Sequence, residues 1–122
     1  MAETTVTLKN GLKIGEVVHT EAVLREPTVA DLIDAGTEAE QVVEMGGEAH
    51  LVRSPTVAGL LLLGRQVVRI GAHPGPLTKG ELLRLDTDDF LMLQAAADQL
   101  DAAASKRLAA RIDSRGRSDP AR

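Results

Sequence analysis

Polar and apolar positions alternate at the start of the chain, where Val6 and Leu8 stand between Thr5, Thr7 and Lys9 and run into Asn10-Gly11. Period-two alternation ending in such a dipeptide predicts a β-hairpin, with a second strand from about Val17 to Arg25. Glu26-Pro27-Thr28 closes that strand. Pro27 holds Glu26 extended, Thr28 offers an N-cap hydroxyl, and Asp31 completes a pair resembling a capping box. A short helix, Val29 to Ala35, should follow, with Gly36 as its stop. Beyond it, Val42 to Met45 and Ala49 to Val52 flank Gly46-Gly47 and either pair as a small hairpin or stay a long loop; the hairpin is the preferred reading.

Ser54-Pro55 then sets an N-cap and an N1 proline before a periodic run, which predicts a helix from Thr56 to Ile70. Its apolar positions Val57, Leu60, Leu61, Gly64, Val67 and Val68 recur at three and four, while Arg65, Gln66 and Arg69 group opposite them. Gly71 to Pro76 must be a turn-rich loop. Thr78-x-x-Glu81 matches a capping box and predicts a short helix from Lys79 to Leu85 that buries Leu82, Leu83 and Leu85. The last helix is the longest, from Asp88 to about Arg111, with the seam Phe90, Leu93, Ala97, Leu100, Ala104 and Leu108. The fold class is therefore α+β: a small N-terminal hairpin or sheet, then a helical part with two main helices and two short ones. One domain spans residues 1–112, β-rich over 1–53 and helical over 54–112. Residues 113–122 hold no apolar side chain larger than Ala and are expected to form a disordered basic tail.

Charge sharpens this division. Residues 1–105 carry 8 Lys and Arg against 16 Asp and Glu, whereas residues 106–122 carry 6 against 2. An acidic body cannot follow a phosphate backbone, so DNA binding would fall to the tail alone. Phe90 is the one aromatic side chain, which removes the stacking platforms of single-strand binders. The N-terminus lacks the basic, then apolar, pattern of a secretory signal, and Leu60 to Leu63 is far too short for a membrane span. A soluble cytoplasmic protein with no membrane or nucleic-acid partner is expected.

Candidate chemistry is sparse. Without Cys there is neither a disulfide nor a thiolate, and His19, His50 and His73 fall in three separate elements, away from metal-ligand spacing. Asp86-x-Asp88-Asp89 opens like a calcium loop, but Leu91 stands where that loop needs Gly and Ala97 where it needs Glu. No serine sits in a nucleophile elbow and no glycine-rich run cradles a phosphate. The expectation is a non-enzymatic protein without cofactor or metal. Both helical seams then admit two uses, as intramolecular core or as a surface that captures a partner helix.

Leu24-Arg25-Glu26-Pro27-Thr28-x-x-Asp31-Leu32 resembles the REPT..DL signature of the Mu-like phage tail assembly chaperones. Ser54-Pro55, Leu62 to Gly71, Gly75-Pro76-Leu77, Glu81-Leu82-x-x-Leu85 and Asp88-Asp89-Phe90-x-x-Leu93 are similar to that family's blocks in the same order. The resemblance implies a small protein that binds the tape-measure protein, keeps it soluble and helps recruit subunits of the major tail-tube protein. Such a protein acts in the host cytoplasm, is not retained in the mature virion, and has self-association open to it. Client contacts would then involve Leu60, Leu61 and Val68 on the middle helix and Phe90, Leu93, Ala97 and Leu100 on the last. Arg25, Glu26, Pro27, Thr28 and Asp31 would be structural, with an Arg-carboxylate bond tying the strand end to the next helix. Some related phages make a longer product by frameshifting, and the C-terminal tail is where an extension would attach. The rival readings are a structural tail component forming a stable ring, and a regulator using its basic tail on DNA.

Overall fold

The computed structural model describes residues 2–117 and confirms the α+β class. Strands β1 (Glu3–Ile14) and β2 (Val17–Arg25) form an antiparallel hairpin, followed by helix α1 (Val29–Glu38). A second hairpin joins β3 (Glu40–Met45) to β4 (Glu48–Arg53). Helix α2 (Pro55–Gln66) leads into β5 (Val67–Ile70) and β6 (His73–Pro74), and the chain ends in α3 (Lys79–Leu83) and α4 (Thr87–Arg117). The main sheet has the order β1-β2-β5-β6, antiparallel throughout, so its last two strands come from the part of the sequence expected to be helical.

Several boundaries differ from the sequence reading, each for a physical reason. The first hairpin turns at Gly15-Glu16, between the paired residues Ile14 and Val17, and Gly15 takes the left-handed conformation that such a two-residue turn needs (φ 62°). Asn10-Gly11 lies instead in a bulge inside β1, where the register slips between Thr7 and Leu12. Gly36 does not stop α1. It does not take the left-handed conformation of a helix stop, so the helix continues to Glu38, and the absent Cβ at Gly36 leaves room for the Arg53 guanidinium, whose Cζ lies 3.2 Å from where that Cβ would be. The helix predicted to Ile70 ends at Gln66. Val67, Val68 and Ile70 are β-branched, in a run that satisfies helical and strand periods equally, and Val67, Arg69 and Ile70 pair with Leu24, Val23 and Ala22 of β2. Helix α4 continues through residues 113–117, expected to be disordered; the rest of that tail lies outside the described residues.

The core is laid on one face of the main sheet. Leu8, Leu12, Ala22 and Leu24 from the first hairpin meet Leu93, Ala96, Ala97 and Leu100 of α4, with Val67, Ile70, Leu77 and Leu82 completing the cluster. Ala96 and Ala97 let the helix lie close to the sheet. A smaller cluster packs α1 on α2 through Ala35, Ala39 and Leu61. The β3–β4 hairpin adds nothing to either cluster; its side chains are exposed along its length apart from the half-buried Glu40.

Candidate partner-binding site

Four of the seven residues expected to touch a client are core. Leu61, Leu93, Ala97 and Leu100 are all no more than 5% exposed, so the long α4 seam is spent on the sheet of its own chain. Val68 lies on β5 rather than on a helix and is about one third exposed. Gln66, expected on the solvent side of α2, is buried and donates its amide to the Arg25 carbonyl at 3.1 Å. Leu60 and Phe90 alone are brought together at a surface.

That surface is an open groove of about 410 Å³, walled by Leu60 of α2, by Leu82, Leu83 and Leu85 in and after α3, and by Thr87, Phe90 and Leu91 at the start of α4. Every lining residue except Thr87 is apolar. Leu83 is 67% exposed and Leu91 59%, whereas Leu60, Leu85 and Phe90 lie half-buried against the core. Local sequence fixes this shape. Thr78 and Glu81 cap α3 reciprocally, with Thr78 N donating to Glu81 Oε1 at 2.9 Å and Glu81 N donating to Thr78 Oγ1 at 3.2 Å. The short helix that results buries Leu82 and turns its neighbour Leu83 outward. Leu83 was missed in the sequence because a leucine in an apolar run reads as core, whereas a helix of five residues has room to bury only one side; Leu91 was missed because it lies off the seam of α4 that starts at Phe90 and Leu93.

The charged motif at the strand end bonds within its own chain. Arg25 donates to both carboxylate oxygens of Asp31, at 2.7 and 3.3 Å, and also to the carbonyls of Glu26 and Arg65. It thereby ties β2 to the first turn of α1 and to the last turn of α2, where helix carbonyls lack intrahelical partners. Asp31 in turn accepts from Thr28 N at 2.8 Å, closing the capping box. Glu26 is ion-paired with Arg107 of α4. The Arg25 bond is the main reason that the Asp31 carboxyl, ordinarily near 3.8, is held at about 2 in the folded state; burial works the other way, and the Thr28 bonds add to the lowering.

This shift sets a pH dependence. A carboxyl whose folded value is lowered contributes fully above its unfolded value and loses the contribution as pH falls through the folded one. Stability measured by urea midpoint should therefore fall by about 2 kcal/mol on this account between roughly pH 5 and pH 2. Asp31→Asn should start less stable at neutral pH and show a shallower acid slope; an unchanged slope would show that the Arg25 bond does not form.

Among the described residues no group of three His, Cys, Asp or Glu side chains is placed to hold a metal ion. His73 pairs with Glu81, His50 lies 3.8 Å from Glu48, and His19 Nδ1 accepts from Ala72 N at 3.4 Å. No helix among the described residues is long and apolar enough to cross a membrane.

Residues 8–117 match the family model described as tail assembly protein gp41, a span covering the sheet except the start of β1, all four helices and the groove. The chain belongs to the gp41 tail assembly protein family. Relatives agree with this. It is 36% identical over 115 residues to the Mu-like prophage FluMu protein gp41 of Haemophilus influenzae, covering 93% of this chain and 87% of that one. It is 38% identical over 105 residues to the "Probable tail assembly protein gp41" of Escherichia phage Mu, covering 83% of this chain and 73% of the relative. The "Probable tail assembly protein FS-gp41" of the same phage is also 38% identical over 105 residues, and there the chain spans 56% of the relative's length. No solved structure matches the chain.

Proposed function

We propose that this member of the gp41 tail assembly family is a chaperone that holds the tape-measure protein in solution during tail morphogenesis, helps recruit tail-tube subunits, and leaves before the particle is complete. The observation supporting this reading is the groove between α2, α3 and the start of α4, an apolar slot with exposed Leu83 and Leu91 at its lip. An amphipathic client helix places anchors three and four residues apart into such a slot. The acidic body around it keeps a complex with an aggregation-prone client soluble. Of the seven contacts read from the sequence, Leu60 and Phe90 remain in this reading, joined by Leu83 and Leu91.

Co-expression with the neighbouring tape-measure protein tests it. The wild-type chain should bring the client into the soluble fraction and co-elute with it on size exclusion with light scattering. Leu83→Asp combined with Leu91→Asp should leave the chain folded by circular dichroism and the client insoluble, because both side chains already stand in solvent. An insoluble client beside a stable closed ring of the wild-type chain would replace this reading with that of a structural tail component.

A further inference from the structure

From Glu26 to Val52 the chain holds seven carboxylates and no Lys or Arg, and this acidic stretch also presents the most exposed apolar side chains of the fold. Val29, Leu32 and Ile33 stand on one stripe of α1, three and four residues apart, and are 71%, 53% and 62% exposed. The stripe runs on to Gly36, over which the Arg53 guanidinium lies. On the same face of the β3–β4 hairpin as Arg53, the facing pair Val42 and Leu51 is 74% and 66% exposed. One apolar surface therefore passes from the helix onto the projecting hairpin, bordered by Asp34, Glu38, Glu40 and Glu44. Arg65 lies within 4.0 Å of Asp34 and Glu38, and Arg53 pairs with Glu40, so five carboxylates share two arginines across this face when Glu48 on the hairpin is included.

The opposite combination occurs at the end of α4. Past Leu100 the helix leaves the core and, by its rise per residue, extends for about 25 Å to Arg117. Leu108 and Ile112, one turn apart, are 56% and 60% exposed, with the exposed cations Lys106 and Arg111 beside them. A basic helix with an apolar stripe is the form of ligand that an acidic apolar face selects. Both surfaces stay open within a single copy, since their apolar side chains remain more than half exposed.

We infer that the gp41-family chain associates with itself by docking the α4 end of one copy, through Leu108, Ile112 and Arg111, on the α1 and β3–β4 face of another. Each contact joins two different surfaces, so every copy offers one donor and one acceptor. Such an arrangement builds closed assemblies or open filaments according to the rotation between copies. The client groove of α2, α3 and α4 takes no part, and self-association does not depend on the client.

The test uses the full chain in sedimentation or light scattering over a concentration series. The wild type should associate, and more weakly as salt is raised, because charges of opposite sign meet at the rim. Leu108→Glu with Ile112→Glu, and separately Leu32→Asp with Leu51→Asp, should each weaken association by at least about tenfold while leaving the circular dichroism spectrum unchanged. Mixing the two variants is the decisive step. Each retains the surface the other has lost, so the mixture should form a mixed dimer that neither forms alone. A wild type that stays monomeric at high concentration overturns the inference and frees the acidic face for another protein's helix. Variants that lose association but do not rescue each other overturn it too, because an intact α4 end and an intact α1 and β3–β4 face would then have met without binding.

Discussion

Leu93→Asp should unfold the protein. Leu93 has no exposed surface and sits where α4 presses on the first hairpin, against a cluster that includes Leu8, Leu12 and Leu24. Removing a buried leucine side chain alone costs about 2–5 kcal/mol. Its replacement adds a carboxylate with no cation or donor set around it, and neutralising or hydrating that group costs several kcal/mol more. A domain of this size has a margin on the order of 5–15 kcal/mol, so the combined loss takes most or all of it. The expected result is a chain that lacks a cooperative thermal transition and elutes as aggregate. Leu91→Asp, two residues away and 59% exposed, is the control and should shift the melting temperature by only a few degrees. A folded Leu93→Asp protein that had lost only client capture would overturn the packing described for α4. Loss of client binding on substitution of Leu93, Ala97 or Leu100 therefore reports unfolding, whereas loss at Leu83 reports an interface.

The contrast between Leu91 and Leu93 shows what the sequence could disclose. The end of the second strand at Arg25, the capping boxes at Thr28 and Thr78, the Ser54-Pro55 start of α2 and the Gly46-Gly47 hairpin are local devices, and each was legible because its chemistry is contained within a few residues. Gly46 and Gly47 both take positive φ, as a two-residue hairpin turn of that kind requires. The start of β5 was not legible. Val67 to Ile70 fits either period, and its pairing with β2, more than 40 residues earlier, decides the matter through burial. The candidate site suffered from the same ambiguity: a seam stepping by three and four describes a buried face and a client-binding face identically, and the sheet beneath α4 settled which it was. The charged motif fared better, because Arg25 and Asp31 are six residues apart and their bond bridges one turn of chain.

Asp89, which the sequence presents only within the incomplete calcium-loop pattern Asp86-x-Asp88-Asp89, has a task across the fold. It is fully buried and accepts the backbone N–H groups of three consecutive residues of β1, Lys9 and Gly11 at 2.7 Å each and Asn10 at 3.1 Å. These donors converge because the bulge turns that stretch out of the ladder with β2, and Gly11 makes the turn possible. Its φ is 82°, and a Cβ there would lie 2.6 Å from the His19 carbonyl oxygen. The bulge therefore orphans three N–H groups, and the first turn of α4 returns an anion to them, where the helix N-terminus also favours negative charge. Asp89→Ala should lower unfolding stability by about 3–5 kcal/mol, since buried donors lose a charged acceptor together with the side chain that filled the space. Asp89→Asn keeps the volume but turns an N–H₂ toward backbone donors, and should recover little of the loss. Asp88→Ala is the comparison, because its ion pair with Lys9 is exposed on both sides and should contribute less than about 1 kcal/mol. Urea denaturation measures all three. Hydrogen exchange at Lys9, Asn10 and Gly11 separates the cause: those amides should lose protection first in Asp89→Asn, and an Asp89→Ala protein as stable as the wild type would show that the bulge holds its shape without the carboxylate.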